Sequence, residues 1–189
     1  MDGFIRWYRE MGKSSAFSEQ IAAFERSGVT LNHADANSAS LVNVDGDDVS
    51  IEIDALRQVL ELRVPSVSVN WWLTSGTNVV GEYAHEPLGC EIQTFWMDGV
   101  SLPEAKTFAS AVTAAASAVA TPTRALICDY QGITDADDWN SVALYGQDRI
   151  PGLVDSLLLD GEIACRVLEK APMLRGQAAG PSIIRLTSA

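Results

Sequence analysis

Residues 66–97 limit the possible fold more than any other part of the chain. The run "SVSVNWWLTSGTNVVGEYA" alternates between apolar and polar positions, breaks at a Gly-containing turn, and alternates again. Successive side chains of an extended strand point to opposite faces. Val67, Val69, Trp71 and Leu73 therefore share one face, while Ser68, Asn70, Trp72 and Thr74 share the other. The pattern predicts a strand over 66–73, a turn at "TSGTN" and a strand over 79–84. A third strand, "CEIQTFWM" (90–97), follows a loop that holds His85 and Pro87.

Asp98-Gly99 ends that strand. Ser101 with Glu104 three residues later forms a capping box, and Pro103 suits a first helical turn. Leu102, Ala105, Phe108, Val112 and Val119 make an apolar stripe at helical spacing, which predicts a helix over about 101–120. Most other positions there are Ala, Ser and Thr, small enough for the helix to lie close against a sheet. "TPT" ends the helix, and "RALICDY" reads as a buried strand.

Chain direction follows from these connections. A strand, a crossover helix and a second strand in one sheet run parallel. The strand at 79–84 should run antiparallel to both 66–73 and 90–97. Thr74, Asp98 and Asp129 then lie at one edge of the sheet, and His85 and Cys90 lie at the other. The first edge continues into "QGITDADDWNS", which carries Asp135, Asp137, Asp138 and Trp139. Carboxylates at the start of a short helix are favoured by its exposed amides and dipole.

The flanking segments are less constrained. Phe4, Ile5, Trp7, Tyr8 and Met11 read as the face of an N-terminal helix broken by Gly12. A second helix is predicted over about 16–26, with Ile21 and Phe24 inward and Gly28 as its stop. "LVNVDGDDVSIEI" reads as a hairpin turning at Asp45-Gly46. "ALRQVLELRV" reads as a helix that ends before Pro65. After Pro151, "LVDSLLLDGEIACRVLE" suggests a helix, a turn at Gly161, and a further helix or strand. "RGQAAGPS" reads as a connection, and "SIIRL" as a final strand.

Charge distribution narrows the function. The net charge is −12, yet residues 1–30 and 151–189 each balance four acids with four bases. The whole excess falls in residues 31–150, with 17 acids against 5 bases. An acidic surface repels nucleic acid and anionic lipid, and attracts cations and basic proteins. No 18-residue apolar run exists, so no membrane span is expected. The first twenty residues carry charges throughout and lack the apolar core of a secretory signal. Three well-separated cysteines, Cys90, Cys128 and Cys165, suit a reducing, bacterial-type cytoplasm.

Chemical motifs are sparse. There is no Gly-x-Ser-x-Gly elbow, no Cys-x-x-Cys pair and no phosphate-binding loop. Asp45, Asp47 and Asp48 lack the later Glu that a calcium loop needs. No catalytic residue, metal or cofactor is assigned.

The fold expected from these readings is α+β. It is a single domain over 1–189, with a mainly antiparallel sheet of about five to seven strands. The helix at about 101–120 packs on that sheet, and an N-terminal helical pair completes it. Within it lie a helical N-terminal segment (1–30), an acidic sheet core (31–150) and a C-terminal segment (151–189). The functional expectation is a non-enzymatic, cytoplasmic binding protein. Trp72, Asp98, Asp129, Asp135, Asp137, Asp138 and Trp139 would present an acidic, aromatic rim to a basic protein partner. In size and charge the chain resembles immunity proteins that inhibit bacterial toxins, a resemblance that carries no motif and hence no residue roles. A metal-dependent enzyme using the acidic loop at 129–138 is the alternative. A self-associating domain that dimerises through Trp72 is a third.

Overall fold

A computed structural model describes residues 3–11, 16–33, 38–86, 88–180 and 182–188. Among these residues ten strands form one sheet: β1 (Phe4–Glu10), β2 (Ala39–Val42), β3 (Asp48–Ile51), β4 (Ser66–Thr74), β5 (Thr77–Glu86), β6 (Cys90–Trp96), β7 (Thr123–Asp129), β8 (Ser156–Asp160), β9 (Leu174–Ala178) and β10 (Ile183–Ser188). Their spatial order is β3-β2-β4-β5-β6-β1-β7-β8-β10-β9. Every paired neighbour is antiparallel. Five α-helices accompany the sheet: α1 (Ala16–Arg26), α2 (Ile53–Glu61), α3 (Leu102–Ala118), α4 (Asn140–Ala143) and α5 (Gly161–Lys170). The class is α+β, as expected, with a larger sheet than expected.

β1 corrects the reading of residues 4–11 as a helix. It lies between β6 and β7 and pairs with both, Phe4 standing opposite Trp96 and Asp129. Helices cover both faces of the sheet at this point. Ile5 and Trp7 join one core, while Phe4 and Tyr8 join the other. A strand buried on two faces shows a continuous apolar run instead of alternation. Over seven residues such a run cannot be told from a helical face by periodicity. The expected N-terminal helical pair thus reduces to α1 alone, and Gly12 lies outside the described residues.

The insertion of β1 leaves the direction argument intact. β6 and β7 both oppose β1, so they run parallel to each other with one strand between them. β4 opposes β5, and β5 opposes β6. The C-terminal ends of β4, β6 and β7 therefore share one edge of the sheet.

The first core packs α1, α2 and α3 against the sheet. Phe24 is its hub, with ring centroids 4.6 Å from Trp71, 6.0 Å from Phe95 and 5.7 Å from Phe108. α3 starts with its capping box formed, and buries Phe108 and Val112 among alanines. The second core packs α4 and α5 on the opposite face with Trp139, Ile127 and Leu159.

The C-terminal segment holds two further corrections. The run expected as a helix before Gly161 is β8, and Gly161 opens α5, where the Asp160 side chain accepts the Glu162 N–H at 2.9 Å. "RGQAAGPS" contains most of β9, which pairs with β10. Leu157, Leu158 and Leu159 are all buried because both sheet faces are covered here, the condition that removes strand periodicity. Among the described residues no helix is long and apolar enough to cross a membrane.

Candidate functional site

The loop after β7 is organised from inside. Asp129 is fully buried. Its Oδ1 accepts the Ile133 N–H at 3.0 Å, and its Oδ2 accepts the Thr134 N–H at 2.8 Å and the Thr134 hydroxyl at 2.9 Å. Thr134 Oγ1 in turn accepts the Trp139 indole N–H at 2.9 Å. Buried polar groups must find partners, and this chain of bonds supplies them while folding the loop back onto the sheet. Asp129 and Trp139 are therefore internal supports, inaccessible to a docking partner. With both oxygens taken by loop donors, Asp129 is also poorly placed to ligate a metal. Among the described residues no group of three or more His, Cys, Asp or Glu side chains could hold a metal ion.

The next three acids remain at the surface. Asp135 accepts the Asp137 N–H at 2.9 Å and starts a single 3-10 turn, Asp137–Trp139. Asp138 is exposed. Asp137 has a basic neighbour from far along the chain: its Oδ1 accepts from the Arg6 guanidinium at 2.9 Å. β1 is the cause: a strand beside β7 brings Arg6 under the loop, whereas a helix would have carried it elsewhere.

The remaining candidates stand apart from this loop. Trp72 is half-buried, with its ring 4.3 Å from that of His33 and its backbone bridged to Thr30. It lies on β4, four strand spacings from β7, or about 19 Å at ~4.8 Å each. Asp98 is exposed just beyond β6, on the shared edge. The chain-direction argument places Trp72, Asp98 and the loop along one border, yet they do not form one compact patch.

What the loop does form is a groove on the second sheet face. Register and alternation put Glu82, Ala84 and Glu86 of β5 beside Ile92, Thr94 and Trp96 of β6, and Thr94 beside Arg6 of β1. The segment 135–140 folds over them and encloses a cavity of about 210 Å³. Among the described residues, Glu82, Glu86, Asp135 and Asp137 line it, against Arg6 as the one cation. Arg6 is 7% exposed and already engaged. It donates to Thr94 Oγ1 at 3.2 Å, to Asp137 at 2.9 Å and to Asn140 Oδ1 at 3.1 Å. Tyr8 donates its hydroxyl to the same Asn140 oxygen at 2.9 Å, and burial pushes its phenol well above the usual range, so it stays a neutral donor. Trp96 lines the groove half-exposed, with its ring edge-on to Phe4 at 6.4 Å.

Sequence reading missed Glu82, Glu86 and Trp96. A signal existed in the two-residue spacing of Glu82, Ala84 and Glu86. It was lost because the strand was ended at residue 84, short of Glu86.

Two of the three cysteines, Cys90 and Cys128, are buried. Burial raises the Cys90 thiol to about 11 and the Cys128 thiol to about 12, which keeps both protonated. The chain matches no protein-family model, no curated protein and no solved structure.

Proposed function

We propose that this chain is a non-enzymatic binding protein that docks a basic macromolecular partner. Its contact surface would be the groove between the β5–β6 face and segment 135–140, flanked by Asp138. The observation that carries this reading is the placement of four carboxylates around one concavity, of which Asp137 pairs with Arg6 while Glu82, Glu86 and Asp135 have no ion pair among the described residues. A lysine or arginine entering from a partner would meet unspent negative charge beside a half-exposed indole. That combination suits both ion pairing and cation–π contact. An acidic surface also speeds encounter with a basic protein. Immunity-type inhibition of a basic toxin is one activity such a surface could serve, and a cytoplasmic site of action is part of this proposal.

The test uses an oligo-arginine peptide titrated into the protein and followed by NMR. Shifts should concentrate on Glu82, Glu86, Asp135, Asp137 and the Trp96 indole. The double variant E82K/E86K should keep its melting temperature and lose about tenfold in affinity, the sum of two partly exposed charge pairs. Shifts spread evenly over all acidic residues, or an E82K/E86K variant that binds like the parent, would reject the groove as the contact surface.

A further inference from the structure

We propose that a second cavity, of about 300 Å³ on the opposite sheet face, is a binding site for a small organic anion: a carboxylate or phosphate group on an apolar body. The site lies where β1 and β5 end and β6 begins, and α1 and α2 border it. It goes beyond the acidic groove in location, charge and ligand class.

Its floor is Arg9, a side chain 2% exposed in a central strand. Arg9 donates Nε–H to Glu91 Oε1 at 2.7 Å, and a second guanidinium nitrogen pairs with the same oxygen. The guanidinium also stacks over the Trp7 ring at 4.8 Å. Glu91 is held in turn by Gln93 at 2.7 Å, and Gln93 exchanges amide hydrogen bonds with Gln20. This network fixes the guanidinium and leaves NH1 with no partner among the described residues.

Three more unpartnered nitrogens line the same cavity. Both ring nitrogens of His85 and the Nε of Arg57 are buried without a hydrogen-bond partner. Nine buried side-chain nitrogen or oxygen atoms among the described residues lack partners, and four of them meet here. A buried donor left unmade costs about 1–3 kcal/mol. Arg9 NH1, Arg57 Nε and at least one His85 nitrogen are donors, and their convergence from β1, α2 and β5 around one space marks a place where an acceptor belongs.

Charge and shape name the ligand class. Arg9, Arg57 and Arg63 line the cavity against Glu61 and Glu91, with Arg57 also paired to Asp54 at 2.8 Å, a concentration of guanidinium groups unusual in a chain of net charge −12. Arg63 is the only non-glycine described residue with positive φ, 52°, a costly conformation for a side chain of this size. Ala16 and Phe17 of α1 border the space. Met11, Phe17 and Leu60 make the rest of the lining apolar. Guanidinium groups match planar or tetrahedral oxyanions, and a volume near 300 Å³ suits a small ligand.

The experiment titrates the full chain with benzoate, phenyl phosphate and, as the body-free controls, acetate and inorganic phosphate. The readouts are the His85 imidazole signals and the melting temperature. Benzoate or phenyl phosphate should shift the His85 signals saturably and raise the melting temperature, and whichever does so tells carboxylate from phosphate. The body-free controls should bind at least about tenfold more weakly. R57A and R63A, both outside the buried network, should each weaken binding about tenfold while the ligand-free protein stays folded by circular dichroism. Absence of a saturable His85 shift for all four probes at ~10 mM would overturn the proposal. So would full affinity retained in the R57A/R63A double variant.

Discussion

Replacing Asp129 with Asn tests whether this carboxylate organises the acidic loop. The change keeps shape and leaves Oδ1 able to accept the Ile133 N–H. The other position becomes an amide donor facing the Thr134 N–H and hydroxyl, which Oδ2 accepts at 2.8 and 2.9 Å. A buried backbone donor is then orphaned, at about 1–3 kcal/mol. Loss of charge assistance in the remaining bonds adds roughly 1 kcal/mol. Removing a buried charge works the other way and pulls the total toward the lower end. The expected cost is therefore about 2–3 kcal/mol, or roughly 4–12 °C in melting temperature for a chain of this size. Chemical denaturation monitored by tryptophan emission measures it, since Trp139 is tied to Thr134 and should report the loop. Asp135→Asn serves as control, because Asp135 is exposed and caps only one N–H; it should cost under ~1 kcal/mol. An Asp129→Asn protein that melts with the parent would refute the account of the loop, and a magnesium-dependent rise in the parent's melting temperature that this variant abolishes would return Asp129 to the metal reading.

Two further outcomes follow from packing and burial. A Cβ added at Gly81 would stand 3.0 Å from two atoms of the Trp71 indole and 3.1 Å from Phe95, so Gly81→Ala should cost about 1–3 kcal/mol by overpacking. Gly76→Ala, with nothing within 4 Å of the added carbon, should stay within ~0.5 kcal/mol; thermal melts of the pair separate the two cases. In thiol labelling at pH 8, exposed Cys165 should react first. Cys90 and Cys128, raised by burial to about 11 and 12, should react only under denaturing conditions, as mass spectrometry would show.

The sequence was most legible where one side of an element meets water. β4, β5, α1 and α3 carry the period of their exposure, and their expected bounds fall within a few residues of those observed. It is least legible where both sides are covered and no breaker bounds the run; β7, buried on both faces but bounded at its start by "TPT", still reads as a strand. Phe4, Ile5, Trp7 and Tyr8, and later Leu157, Leu158 and Leu159, present runs with no usable period, and both read as helix in the sequence although they are strands. The error in β1 then spread to the site. With residues 4–10 read as a helix, nothing placed Arg6 beneath Asp137 or Arg9 beside Glu91, so neither the groove nor the cavity could be assembled from local patterns. Both depend on pairs 82 or more residues apart.

β1 also sends one arginine to each face of the sheet, and so to each of the two proposed sites. Residues three apart in a strand point to opposite faces. Arg6 therefore faces the acidic groove and Arg9 faces the basic cavity, while the apolar residues between and beside them hold the strand in both cores. An arginine in a central strand is expensive unless fully bonded, and apolar residues of similar volume are often as stable or more so. Each of these two is bonded at all but one guanidinium nitrogen, Nε in Arg6 and NH1 in Arg9. The residual donor differs because the surroundings differ. Arg6 spends two nitrogens on Thr94, Asp137 and Asn140 and so tempers the groove's negative charge. Arg9 spends two on Glu91 and keeps an outer nitrogen for the cavity. The two sites share a strand and no side-chain partner, so changes at Arg57 and at Glu82 should act additively on their separate ligands. A variant at one site that altered binding at the other would show that β1 couples them.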